Sequence, residues 1–278
     1  MSSGKNIKVD SRDVYMDNLT PKRQIQVTLL ANEGILLQFG TFKILIDGIH
    51  ENDHGEFNGL SKQVMKDLMD GEKPLFQNID YILYTHCHYD HFSAAATAAY
   101  LERHPVKGLF MPDHGTRAFI SLRETADRRS GSTWLLDLPQ GVKNEIKLSE
   151  DFTLTVFRSV HAGAEYADVD HFCYLLNFDG RKLFIIGDSE YNSGYFSQML
   201  AGEALDAAFV NPLFLNKHDG REVLSQALKP EKLVIYHIPF EGHDKFGFRK
   251  LVIQDAKKYR ESMPDILVLC DELQSISI

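Results

Sequence analysis

The run Thr85-His86-Cys87-His88-Tyr89-Asp90-His91 places three imidazoles and a carboxylate within six consecutive positions, His86 to His91. Neutral imidazoles and carboxylates are good ligands for zinc and other first-row divalent ions. In an extended segment alternate side chains share a face, so His86 and His88 project to one side and Cys87 to the other. Cys87 is therefore not read as a nucleophile. Where the chain turns into the Ala-rich stretch after Ser93, Asp90 and His91 can reach a second position nearby, so that one loop supplies ligands to two ions. No GxSxG motif offers a serine nucleophile instead.

The elements that must position these residues follow from hydrophobic periodicity. Residues 24–30 alternate polar and apolar side chains with the period of a half-buried strand. Strands are expected over 34–39 and 42–46 with Gly40-Thr41 turning between them, and over 79–84 leading into the histidine run. Ser93 caps an Ala-rich helix reaching 103. Further on, strands are expected near 106–110, 145–148, 152–160, 171–178 and 183–186, with Asp179-Gly180 as a hairpin turn. Helices are expected over 59–69, 114–129, 194–201, 220–228 and 248–259, and strands over 207–210, 233–236 and 266–269. Residues 1–23 read as a polar lead-in and 24–278 as one α/β domain, because no Gly/Ser/Pro-rich linker divides the halves.

Composition narrows the function classes. Of 278 residues, 44% are hydrophobic and 25% charged, the balance of a globular protein, and the net charge of -9 gives no general footprint for nucleic acid. The three cysteines are scattered without a CxxC pair, which suits a reducing cytoplasm. No apolar run reaches the roughly 18 residues of a membrane span, and the N-terminus lacks the apolar stretch of a secretory signal.

The histidine run resembles the HxHxDH signature of the metallo-β-lactamase-fold superfamily. Ile44-Leu45-Ile46-Asp47 resembles its early strand ending in a structural Asp, and Ser159-Val160-His161-Ala162-Gly163 its loop with the third His. Ile185-Ile186-Gly187-Asp188-Ser189 resembles the segment with the bridging Asp, and Val234-Ile235-Tyr236-His237 the strand bearing the last His. The resemblance implies a four-layer αββα sandwich in which two mixed sheets are flanked by helices. It also implies two divalent ions, zinc foremost with manganese or iron as alternatives. One would sit on His86, His88 and His161 and the other on Asp90, His91 and His237, with Asp188 bridging; His237 is preferred to His243 because it directly follows an apolar run, and a rigid element holds a ligand better than a Gly-containing loop. The implied activity is hydrolysis of an ester, lactone or phosphoester bond in a small substrate by a hydroxide shared between the ions. Asp90 would also orient that hydroxide and carry its proton.

Within the superfamily, Asn211-Pro212-Leu213-Phe214 and the short spacing from Asp188 to His237 resemble the branch of ascorbate-6-phosphate lactonase. That branch implies a phosphorylated substrate and self-association. A phosphate would need a basic partner, for which Lys217, Arg128, Arg129 and Arg249 are candidates, each more ordinarily a surface charge. His50 and His54 follow Asp47 and read as solvated loop residues or substrate contacts; His243 and Asp244 read as rim residues; His171 reads as a support to the ligands. The segment 121–142, with the single tryptophan Trp134, is either a specificity element over the site or an anchor into the core. The rivals are a di-iron redox or oxygen-binding protein on the same fold, a non-catalytic metal-holding module, and a nuclease. An imidazole at His88 disfavours the first, the full ligand set the second and the acidic charge the third.

Overall fold

Alternating apolar residues pair β1 (Ile25–Leu29), β2 (Ile35–Phe39) and β3 (Phe42–Ile46) into an antiparallel meander. Helical crossovers then add β4 (Tyr81–Leu83), β5 (Gly108–Pro112) and β6 (Thr133–Leu136) in parallel. In the computed structural model, which describes residues 24–51 and 57–278, the second half repeats this plan. Strands β7 (Lys143–Lys147), β8 (Phe152–Ser159), β9 (His171–Phe178) and β10 (Arg181–Ile185) are antiparallel. Strands β11 (Ala207–Val210), β12 (Lys232–Ile235) and β13 (Asp265–Val268) follow in parallel, and β14 (Ser275–Ser277) returns to the edge of β1. The lead-in expected over 1–23, and His54, lie outside the described residues.

The result is two mixed sheets face to face, each with seven strands among the described residues. Ile44, Ile46, Leu83 and Phe110 of one sheet share a buried cluster with Phe152, Leu154, Phe172 and Phe209 of the other. Helices α1 (Lys62–Asp70), α2 (Ala94–Arg103) and α3 (Arg117–Arg129) cover the outer face of the first sheet, packing Leu68, Leu101 and Leu122 on Ile82 and Leu109. On the second sheet lie α4 (Ser193–Met199), α5 (Leu213–Asn216), α6 (His218–Glu222) with a π-helical turn over Val223–Leu228, and α7 (Phe248–Lys258). The expected αββα sandwich is therefore the fold. Among the described residues no helix is long and apolar enough to cross a membrane.

Ser93 caps α2 as expected, its Oγ accepting from the Ala96 N–H at 3.2 Å. Within the segment 121–142, β6 extends the first sheet, and the half-buried Trp134 packs on the core, stacked on Phe110 with ring centroids 4.1 Å apart. That outcome is the anchor reading of Trp134. Helix α5 and strands β6 and β14 were not expected, since each has only 3 or 4 residues and, unlike the equally short β11, is broken by a polar residue.

Candidate metal centre

The proposed ligands converge because they all leave the same edge of the sandwich, at the carboxyl ends of β1, β3, β4, β8, β10 and β12. Asp47 organises the histidine loop. Its Oδ1 accepts from the Thr85 N–H at 2.8 Å and its Oδ2 from the Thr85 hydroxyl at 2.6 Å, with His91 Nδ1 also 3.1 Å from Oδ2. Because the Thr85 proton is spent on Asp47, the His86 Nδ1 that lies 3.0 Å from Thr85 Oγ1 must be the donor there. This leaves His86 Nε2 with a lone pair, which accepts from His88 Nδ1 at 3.0 Å. His161 is fixed the same way: Nδ1–H donates to the Ala162 carbonyl at 2.7 Å, and Nε2 stays buried without a hydrogen-bond partner among the described residues. Each of these imidazoles is thus held in the tautomer that aims a lone pair inward.

Asp188 lies between the histidines. Its Oδ2 is 3.3 Å from His91 Nε2, 3.5 Å from His237 Nε2 and 3.8 Å from His161 Nε2. Asn211 Nδ2 donates to Asp188 Oδ1 at 3.1 Å, and the Asp188 N–H donates to His171 Nε2 at 2.9 Å. Since that nitrogen accepts, His171 Nδ1–H must donate to Ser159 Oγ, 2.7 Å away. Gly187 has φ +59°, and a Cβ there would stand 2.6 Å from His171 Nε2, so a larger residue would block this support. Asp47 and His237 also take the left-handed conformation, with φ of 48° and 57°. Such strain in non-glycine residues persists where surrounding structure over-determines it, and it clusters at functional sites.

Two groups of ligand atoms, each within 4.8 Å of one another, result: His86, His88 and His161; and Glu33, His91, Asp188 and His237. Six of the seven expected ligands are brought together. Asp90 belongs to neither group and is half-buried in a turn closed by the His91 N–H donating to the His88 carbonyl at 3.0 Å. Glu33 was not anticipated, since it sits in no motif and precedes β2 as a lone carboxylate. The second group fits a cation on its own evidence: Glu33 Oε1 and Oε2 and His91 Nε2 are buried with no hydrogen-bond partner among the described residues.

Electrostatics agree with that fit. Burial alone would lower His91, but its contacts to Asp188 and Asp47 outweigh it and hold the ring protonated well above the ordinary histidine value. Burial would raise Asp188, yet the close approach of His91, with the other imidazoles, brings it down to about 2. A proton on His91 therefore occupies the place of positive charge between two carboxylates. Burial lowers His50, His171 and His237, each to about 3. These three take up a proton in the unfolded chain near 6.5 but stay neutral in the fold, so the stability they confer is complete above that pH and is lost as pH falls toward 3. His91 acts oppositely, its contribution fading as pH rises through its elevated value. Metal-free protein should accordingly melt highest near neutrality, with its Tm falling steadily from pH 7 to pH 5. A flat profile over that range would contradict the neutral burial of these rings.

The remaining candidates separate clearly. His50 is fully buried, not solvated, with neither ring nitrogen hydrogen-bonded among the described residues. His243 is exposed on a 3-10 turn, away from either group. The Cys87 thiol is pushed well above its usual range by burial and faces the helical layer. Arg128 pairs with Glu102, Arg129 donates to the Leu101 and Glu102 carbonyls, and Arg249 pairs with Asp271, so none of the three is aimed at the site. Lys217 lies over the Tyr191 ring at 4.8 Å. A cavity of about 250 Å³ opens onto Asp188, His161 and His237, walled by Phe57, Ala162, Tyr191, Pro212, Leu213, Pro239 and Phe248.

Comparison with known proteins gives the same picture. The family model of the metallo-beta-lactamase superfamily matches residues 77–163, which carry the histidine run and His161. A search of curated proteins returned no match. Among solved structures, Igni18, a metallo hydrolase from the archaeon Ignicoccus hospitalis, is similar with TM-score 0.61 and 15% identity, over 92% of this chain and 98% of that one. An isothiocyanate hydrolase from Delia radicum gut bacteria is similar with TM-score 0.60 and 16% identity, over 91% and 99%. CmlA, a diiron β-hydroxylase from Streptomyces venezuelae, is similar with TM-score 0.55 and 12% identity, over 93% of this chain and 54% of that one. At such identities the likeness concerns the fold. With its sandwich of two mixed sheets flanked by helices, the chain has the metallo-β-lactamase fold, and its segment 77–163 is similar to the metallo-beta-lactamase superfamily.

Proposed function

We propose that this protein is a metal-dependent hydrolase that holds two divalent ions side by side and cleaves an ester, lactone or phosphoester bond of a small substrate. The observation that carries the reading is that one carboxylate oxygen, Asp188 Oδ2, lies within 3.3 to 3.8 Å of imidazole nitrogens from both ligand groups. His86, His88 and His161 would hold one ion, His91 and His237 the other, and Asp188 both. Zinc suits the imidazole-rich set, with manganese and iron as the alternatives. Ions bound there would supply a water of lowered pKa and a Lewis acid for the scissile bond.

The chain's own residues supply the rest. Asn211 and His171 lock Asp188 in place. Asp90, half-buried near His88 and His91, is positioned to carry a proton between the site and solvent. The Tyr191 hydroxyl is buried without a partner among the described residues, and burial with the nearby Asp188 charge keeps it protonated. It can donate to a substrate oxygen. Phe57, Leu213 and Phe248 exclude water and receive the apolar part of the substrate.

No Arg or Lys lines the cavity among the described residues, so the walls favour an uncharged ester or lactone over a phosphorylated one. The isothiocyanate hydrolase among the structural neighbours adds a further small electrophile to the panel worth testing. A di-iron redox protein on this fold is the competing reading. Iron in the purified protein and a visible spectrum that responds to oxygen would favour it. The direct test is metal content followed by turnover on lactones, esters, isothiocyanates and phosphodiesters. His88→Ala is expected to remove one ion and reduce turnover by roughly a thousandfold while the fold persists. Full turnover by that variant with both ions retained would overturn the assignment.

A further inference from the structure

We propose that Glu33 is a ligand of the second metal position, the carboxylate that stands there where the HxHxDH motif would supply Asp90. The proposal rests on the two-ion reading above and names a residue that this reading does not contain. Glu33 sits in the turn joining β1 to β2, closed by the Leu30 N–H donating to the Gly34 carbonyl at 2.7 Å. A Cβ on Gly34 would stand 2.7 Å from Gly48 Cα, so the turn is pressed against the loop that carries Asp47. This close approach delivers the Glu33 side chain, with no solvent exposure, into the group formed by His91, Asp188 and His237.

Nothing else among the described residues accounts for that carboxylate. Neither oxygen has a hydrogen-bond donor, and the nearest polar contact is His237 Nε2, 3.0 Å from Oε1. A buried carboxylate without a partner costs several kcal/mol, which a shared cation removes. Donors about 2.1 Å from a common tetrahedral ion stand about 3.4 Å apart, which the atoms of this group, all within 4.8 Å of one another, can reach with small shifts.

The neighbouring amide fits the same state. Asn32 Nδ2 lies 2.9 Å from His237 Nδ1, while Asn32 Oδ1 is buried without a partner. The two ends of an amide are nearly identical in shape, so the reversed orientation lets Oδ1 accept from Nδ1–H. That tautomer frees His237 Nε2 as a ligand beside Glu33. The second position then carries two carboxylates and two imidazoles. It is harder than the three-imidazole position and suited to Mn²⁺ or Fe²⁺ as well as Zn²⁺.

The test uses the full chain stripped of metal, its Glu33→Gln and Asp90→Asn variants, reloading with Zn²⁺, metal per chain after desalting, and thermal unfolding with and without zinc. Wild type and Asp90→Asn are expected to retain two ions, and Glu33→Gln one, with its affinity for the second lowered at least about tenfold. Metal-free Glu33→Gln should melt at or above metal-free wild type, because an unpartnered charge has gone, while its stabilisation by zinc shrinks. Two ions held by Glu33→Gln with wild-type affinity would overturn the proposal. So would a metal-free Glu33→Gln that melts well below wild type, since Glu33 would then have a structural partner. A wild type that binds only one ion would instead overturn the two-ion reading itself.

Discussion

Asp188→Asn should cost the protein at least one of its two ions and roughly a thousandfold or more in turnover. The carboxylate oxygen facing His91, His161 and His237 is the only group of the site placed between both sets of imidazoles among the described residues. Asparagine keeps the side-chain shape and the contact with Asn211, so the loss isolates charge and bridging from packing. A second signature separates it from a general structural defect. His91 owes its elevated pKa to Asp188 and Asp47 against the effect of burial, so the variant should let its ring titrate nearer the ordinary histidine range. Metal content after desalting, kcat and the histidine signals in an NMR titration measure the three effects. Two ions retained with turnover within tenfold of wild type would remove Asp188 from the centre of the mechanism.

Asp47→Ala should instead strike stability. The Asp47 carboxylate is fully buried and accepts from the Thr85 N–H, from the Thr85 hydroxyl and from His91. Its removal strands those donors and leaves the buried His91 charge with one partner fewer. Breaking a buried charge pair in this way costs about 3 to 5 kcal/mol. For a chain of this size that corresponds to a fall in Tm of roughly 6 to 20 °C. The metal-free protein is the proper reference, since bound ions would mask part of the loss. Metal affinity should fall as well, because the relay from Asp47 through Thr85 sets the His86 tautomer. Melting within about 2 °C of wild type would show that the loop is held by other contacts.

Local pattern made much of the fold legible. Strands β3, β9 and β11 lie where their apolar periods put them, and the Ser93 cap begins α2 at Ala94. Helix α5 and strands β6 and β14 were missed because each is a short stretch broken by a polar residue, whereas the equally short β11 is apolar throughout. His50 was misjudged because the residues that follow it, Glu51-Asn52-Asp53-His54, are polar, while burial is decided by what packs over it. Trp134 left two readings open, and only the pairing of β5 with β6, which brings it onto Phe110, selects one. The repeated plan of meander followed by parallel strands left no repeat in the sequence, because each strand is specified by apolar spacing and not by residue identity.

The site divides along the same line. The sequence by itself named six of the seven side chains that the two groups gather, most of them just past strand ends, because ligand chemistry and strand period are local properties. Tertiary structure alone decided the membership of the second group. Asp90 is adjacent to two ligands in sequence, yet it lies in a tight turn that leaves it outside both groups. Glu33 and His237 are separated by about two hundred residues and meet because the β1–β2 turn packs against the loop after β12, where the His237 N–H donates to the Asn32 carbonyl at 3.0 Å. A contact of that range depends on how two sheets are placed against each other, and no spacing within the chain encodes it.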